Sequence, residues 1–307
     1  MIENKNYDAV IIGGSYAGLS AAMSLGRALF NVLILDTGNP CNKQTPHSHN
    51  FLTQDGMPPA SITETALKQV LSYPTVGFAA DKALNVTGTN GHFLITTASG
   101  AAIRTKKLLF SSGIKDIMPA IEGFADCWGI SAVHCPYCHG YEYRGKNTGI
   151  LINGDEAADF GEFISNWAGS LSIFTNGKSS IPAEKQGMLA NRNIRVIEKE
   201  IQSIRHTNGY IESLVFADGS MQALDVLYAR LAFVQHCKIP EVLGCRMTEA
   251  GYIDTDEMKK TSIAGVFAAG DNISPMRSVA GAVAAGNFAG AVISKELIKE
   301  KLDYIGN

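Results

Sequence analysis

Tyr7-Asp8-Ala9-Val10-Ile11-Ile12-Gly13-Gly14-Ser15-Tyr16-Ala17-Gly18 is the stretch whose reading decides the fold. The unbroken apolar run Ala9-Val10-Ile11-Ile12 suits a strand buried on both faces of a parallel sheet. Gly13, Gly14 and Gly18 mark a tight turn, and Leu19 to about Ala28 reads as a helix. Val32-Leu33-Ile34-Leu35-Asp36 is a second apolar strand closed by an acid. Strand, glycine turn, helix, strand and acid in this order form a dinucleotide-binding fingerprint in its required context. The turn would set a pyrophosphate on the helix N-terminus, where unpaired N–H groups and the dipole favour anions. Asp36 would accept from ribose hydroxyls. Ser15 stands where the middle glycine is usual, and it leaves slightly less room for close backbone approach.

Beyond this unit, residues 39–59 are polar and irregular, as a functional loop would be. A helix is expected over about 59–71. Segments 83–87, 92–97 and 102–106 alternate like antiparallel strands, with a turn at Thr89-Asn90-Gly91. Lys107-Leu108-Leu109-Phe110-Ser111-Ser112-Gly113 reads as a further buried strand ending in a glycine turn. From about Pro119 the organisation changes. Gly149 to Ala158 begins a second strand–turn–helix unit with its helix reaching about Trp167. Strands are expected at 171–175 and 194–198, and a hairpin over 210–228. The chain then returns through Gly265-Val266-Phe267-Ala268-Ala269-Gly270-Asp271 and an Ala/Gly-rich helix after Arg277. The expected fold class is α/β: two three-layer dinucleotide-binding domains, the second inserted in the first. The first would comprise 1–116 plus 243–307, and the second 117–242.

Composition narrows the function. The net charge of −3 provides no basic footprint for nucleic acid. The N-terminus mixes charges, and the small-residue run 279–286 is too short to span a bilayer, so neither a targeting signal nor a membrane segment is expected. Six cysteines in 307 residues are too few for a disulfide scaffold and suit a reducing, cytoplasmic setting with one reactive pair.

That pair lies in His134-Cys135-Pro136-Tyr137-Cys138-His139-Gly140. Two cysteines two residues apart can close a small disulfide ring, and a flanking histidine can stabilise a thiolate or handle its proton. Half of a zinc site and a buried structural pair are the competing readings. Zinc needs a second ligand pair, and Cys237 and Cys245 lie far along the chain at unsuitable spacing, so no metal is expected. Cys41, Cys127, Cys237 and Cys245 are read as ordinary buried or half-buried thiols by default, with Cys41, in the expected flavin loop, having the strongest claim of the four to a role.

The sequential order of these motifs resembles the low-molecular-weight thioredoxin reductase family over nearly the whole chain. The variant Cys-Pro-Tyr-Cys-His-Gly also resembles the related flavin-dependent dithiol oxidases. The resemblance implies FAD, held by Gly13, Ser15, Tyr16, Ala17, Gly18 and Asp36, with Gln44, Asn50 and Ala83 on the same cofactor. Ser112 and Gly113 stand in an Ala-Thr-Gly position, and Gly270 and Asp271 match the flavin-binding motif. Arg277, Ser278 and Val279 replace an Arg-Gln-Ala segment at the flavin edge. It further implies that Cys138 faces the flavin and Cys135 the substrate, with the reverse assignment open. His139 stands where the reductases carry a proton-handling aspartate. His134 is either an auxiliary base or a solvated side chain. A homodimer acting on a small protein or small-molecule dithiol is the family expectation.

The second nucleotide motif departs from the reductases. Ile152-Asn153-Gly154-Asp155-Glu156-Ala157 loses its first turn glycine to a β-branched residue. Thr175-Asn176-Gly177 stands where a His-Arg-Arg cluster would meet a 2′-phosphate, and Lys178 is a poor substitute for an arginine fork. NADPH use is therefore doubtful from sequence. A dithiol oxidase is favoured over an NAD(P)H-fed reductase, and a flavin redox sensor that does not turn over is the reading from another class.

Overall fold

The computed structural model describes residues 6–305. The chain divides into two compact units: Met1–Lys43, Asn50–Lys115 and Phe233–Asn307 in one, Gln44–His49 and Asp116–Ala232 in the other.

In the first unit a parallel sheet runs in the order Val76–Ala80, Val32–Asp36, Asn6–Ile12, Ala102–Phe110, with Val266–Ala268 also beside Ala102–Phe110. The hairpin Ala83–Thr89/His92–Thr97 pairs antiparallel with the first half of Ala102–Phe110. One long strand thus replaces the two expected over 102–113, because its early residues pair with the hairpin and its later ones with Asn6–Ile12. Burial follows the opening apolar run: Ala9, Val10 and Ile11 are fully buried. The strand Val76–Ala80 was not legible in the sequence, since it has neither a long apolar run nor clean alternation.

One face of this sheet is covered by the helices Tyr16–Arg27 and Val279–Ile305. They cross closely enough that a Cβ on Gly286 would lie 2.0 Å from the Ala17 carbonyl oxygen. Ser20 Oγ donates to Val283 O at 2.8 Å and Asn287 Nδ2 to Ser24 Oγ at 2.9 Å, so polar groups at the crossing are satisfied. Lys107 is fully buried, with Nζ donating to Asn90 Oδ1 (2.8 Å) and to Glu296 (3.0 Å) and Glu300 (2.5 Å) of the last helix.

In the second unit five parallel strands run Arg195–Ile197, Ser170–Phe174, Asn147–Leu151, Val226–Ala229, Ala132–Val133. A separate antiparallel sheet joins Ile201–Thr207, Tyr210–Phe216 and Met221–Ala223. The expected strand over 221–228 is therefore two: its first half closes the hairpin, and its second half enters the parallel sheet beside the strand that leads to the cysteine pair. The split falls at Leu224-Asp225, where Asp225 accepts from Asn147 N at 2.9 Å. Among the described residues no helix is long and apolar enough to cross a membrane, and no group of His, Cys, Asp and Glu is arranged to hold a metal.

Candidate functional site

Two clusters carry chemistry, one in each unit. In the first, Gly13 leaves the opening strand at φ 111°, and a Cβ there would meet the Ser111 carbonyl oxygen at 2.3 Å, so only glycine fits this turn. Ser15 sits at the N-cap in extended conformation without a side-chain cap, and Leu19 N makes the first bond back to Ser15 O. The leading N–H groups of a twelve-residue helix are thereby left for an anion. Asp36, at the end of the second strand, accepts from Gly14 N at 2.5 Å and Gly38 N at 2.6 Å, which fixes its carboxylate beside the turn.

Ser111 Oγ donates to Gly13 O at 2.7 Å, whereas the buried Ser112 Oγ has no partner among the described residues. Gly270 turns at φ 94°, and a Cβ built on it would lie 3.1 Å from the Ala17 methyl. Asp271 faces Arg277 Nε at 3.7 Å and Cys41 Sγ at 4.0 Å. Cys41 is exposed, unlike the buried or half-buried thiol expected from sequence, because it lies in a loop beside this acid. Val279 begins the last helix, Ser278 just before it accepts from Gly281 N at 3.0 Å, and Ala83 is buried at the start of the hairpin. Sequence reasoning passed over Asn272, which is fully buried: Nδ2 donates to Phe110 O at 2.9 Å while Oδ1 has no partner among the described residues. Its place directly after Gly270-Asp271 was the available signal. Asn50 belongs to this unit, with φ 60° and its N–H on Asp55. Gln44 clusters with the other unit and donates to Ala125 O at 3.2 Å.

In the second unit the strand Ala132–Val133 delivers the chain into a one-turn helix, Pro136–His139. Cys135 is its extended N-cap and Pro136 occupies the first helical position, where a missing N–H costs nothing. The turn places Cys138 Sγ 2.7 Å from Cys135 Sγ, inside non-bonded contact, so little motion separates the dithiol from its disulfide. Cys127 is inert by contrast: burial pushes its thiol up to about 11.

His139 is half-buried, and burial, reinforced by the charge of His49, holds its imidazole down at about 4. A neutral imidazole beside a dithiol is a base at physiological pH. His49 Nε2 lies 3.6 Å from Glu142 Oε1. This pairing was not legible in sequence, because the two residues lie far apart in the chain and only folding brings the loop 44–49 onto this unit. The His134 ring lies 6.0 Å from Trp128, whose Nε1 donates to Asp116 at 3.1 Å.

At the second nucleotide motif, Asn153 bridges the turn. Its Oδ1 accepts from Gly154 N (2.9 Å) and Ser180 N (2.8 Å), and its Nδ2 donates to Lys178 O (2.9 Å). Thr175 Oγ1 donates to Gly177 O at 2.6 Å, and Asn176 accepts from Ile201 N at 2.7 Å. Asp155 pairs with Lys185 at 2.9 Å and Glu156 with Arg230 at 2.8 Å.

Comparison with known proteins agrees with this architecture. The profile of the pyridine nucleotide-disulphide oxidoreductase family matches residues 7–286. The chain is 30% identical to the thioredoxin reductase sirT of Leptosphaeria maculans, over 94% of this chain and 93% of the relative. Among solved structures it resembles an oxidoreductase from Agrobacterium tumefaciens (36% identity, TM-score 0.90, covering 96% of this chain and 99% of that one). It also resembles HlmI (27% identity, TM-score 0.93, covering 99% and 96%). With a glycine-turn sheet in one unit, a dithiol in the other and these relatives over nearly its full length, the chain belongs to the pyridine nucleotide-disulphide oxidoreductase family and is a thioredoxin reductase-like FAD disulfide oxidoreductase.

Proposed function

We propose that this enzyme oxidises a dithiol substrate through Cys135 and Cys138, with FAD rather than NADPH as the partner on which turnover depends. The observation that carries the preference is the Asn153-braced segment 175–180. Its polar groups are spent on one another, and it contains no arginine to meet a 2′-phosphate. The nearby cations Lys185 and Arg230 are already paired with Asp155 and Glu156.

The first unit fits FAD. The open helix N-terminus behind Gly13 suits a pyrophosphate, Asp36 suits a ribose, and the orphaned Ser112 hydroxyl and Asn272 carbonyl offer buried partners. Gly18, Ala17, Tyr16, Ser15, Gly113, Gly270, Asp271, Arg277, Ser278, Val279, Asn50 and Ala83 complete the proposed set, and Gln44 is assigned by resemblance alone. Bound there, FAD would supply a two-electron acceptor for the protein dithiol.

The chain's own chemistry is thiol–disulfide exchange. A substrate thiolate attacks Cys135 Sγ of the Cys135–Cys138 disulfide, and the S–S electron pair leaves on Cys138. The second substrate thiol, deprotonated by neutral His139, attacks the mixed disulfide and releases Cys135 as thiolate. The substrate leaves as a disulfide, and two electrons remain on the pair. His134 is the second proton-handling candidate. A cytoplasmic homodimer completes the proposal on resemblance. Anaerobic stopped-flow mixing of the yellow enzyme with NADPH, NADH or a dithiol tests it by flavin absorbance. Bleaching by dithiol, reversed by oxygen, is expected; rapid bleaching by micromolar NADPH would return the chain to the NADPH-fed reductases.

A further inference from the structure

The parallel sheet of the second unit holds a buried hydroxyl that the exchange chemistry above does not use. Tyr228 is 1% exposed, and its Oη has no hydrogen-bond partner among the described residues. Tyr143, in the same apolar cluster, is satisfied by contrast, donating to Ile130 O at 2.9 Å. Buried tyrosine hydroxyls nearly always find an acceptor, so this orphan is a donor still available to a partner.

The sheet register identifies that partner. Tyr228 pairs with Val133 on the strand that ends at the dithiol. Paired residues of a parallel sheet face the same way, and Cys135 follows Val133 by two residues, past a bend at His134. Two residues span at most about 7 Å, comparable to the reach of a tyrosine side chain. The electrostatic neighbours of the Tyr228 phenol are Cys135 first, then Tyr143, Glu142 and Cys138. Burial above all, and then these groups, push the phenol upward, so it stays protonated and serves as a donor throughout the neutral range.

We propose that Tyr228 is a hydrogen-bond donor held in the sheet core for the sulfur of Cys135, stabilising its thiolate once the Cys135–Cys138 bond opens. The inference rests on the reading of these cysteines as the exchanging pair. No electrons move in the step itself: the Cys135 S–H bond breaks, its proton goes to solvent, and the remaining thiolate accepts from Tyr228. Other titratable groups around the pair are His134, His139, His49, Glu142 and Tyr143, and none is altered in the test.

The test compares Cys138→Ser with Cys138→Ser/Tyr228→Phe in the FAD-loaded protein. Iodoacetamide alkylation of Cys135 is followed against pH by peptide mass spectrometry. The phenylalanine keeps the ring beside Val133 and Ile150 and removes only the orphan hydroxyl. The expected result is a midpoint about one pH unit higher, hence about tenfold slower alkylation below it (about 1.4 kcal/mol). An unmoved midpoint in a folded, FAD-retaining variant overturns the proposal. Should Tyr228→Phe not fold, site-specific 3-fluorotyrosine at 228, a more acidic donor, must lower the midpoint, and an unmoved or raised one overturns the inference equally. Dithiol-dependent opening of the Cys135–Cys138 disulfide in the unsubstituted protein, read as a two-dalton mass gain, reports separately on the exchange reading.

Discussion

Replacing His139 by Gln should change how the stability of the second unit depends on pH. In the folded protein the imidazole is held near 4 by burial and by the charge of His49, against 6.5 when the chain is unfolded. Between those values the unfolded chain binds a proton that the folded one refuses. Stability therefore rises with pH across this window, and the penalty appears as pH falls below 6.5 and saturates below 4. Linkage with these two values gives about 0.2 kcal/mol of penalty at pH 7 and about 2 kcal/mol at pH 5. Partial exposure of His139 makes the second figure an upper value. Both tryptophans, Trp128 and Trp167, lie in the second unit, so urea denaturation followed by tryptophan fluorescence reports on the relevant segment. The wild type should lose about 1–2 kcal/mol more than His139→Gln between pH 7 and pH 5. Parallel curves for the two proteins would refute the burial-depressed imidazole. His49→Gln, which removes the second cause but leaves burial, should show an intermediate slope.

Other consequences of the structure are equally direct. Cys135→Ser and Cys138→Ser should each abolish dithiol turnover while FAD is retained, because neither sulfur alone can close or open the ring; wild-type turnover in both would make the pair structural. Lys107→Ala should cost about 3 kcal/mol in denaturant titrations by leaving Glu296 and Glu300 without their buried cation, and Lys107→Met less, since the apolar stem keeps its packing. Gly286→Ala forces a Cβ to 2.0 Å from the Ala17 carbonyl oxygen and should cost about 1–3 kcal/mol, with weakened FAD retention. Gly187→Ala, on an exposed helix with nothing within 4 Å of the new Cβ, should instead stabilise by about 0.5–1 kcal/mol by the same assay.

What the sequence determined by itself is local. The apolar run 9–12, the glycine turn at 13–18 and the acid at 36 specify a strand, a helix start and a second strand through nearest-neighbour sterics and periodicity. The hairpin at 83–97 follows similarly from turn chemistry, whereas the one-turn helix 136–139 was not read from the sequence. Only the tertiary structure decided which strands lie side by side. It sent Val226–Ala229 into the parallel sheet rather than the hairpin, and it made Ala102–Phe110 one strand serving two kinds of neighbour. It also brought His49 to Glu142, locked the 175–180 segment with Asn153, and left Tyr228 buried beside the dithiol strand with its hydroxyl unsatisfied among the described residues. Periodicity encodes which face of an element is apolar, but pairing between segments far apart is chosen by the packing of the whole core, and no single stretch of residues carries that choice.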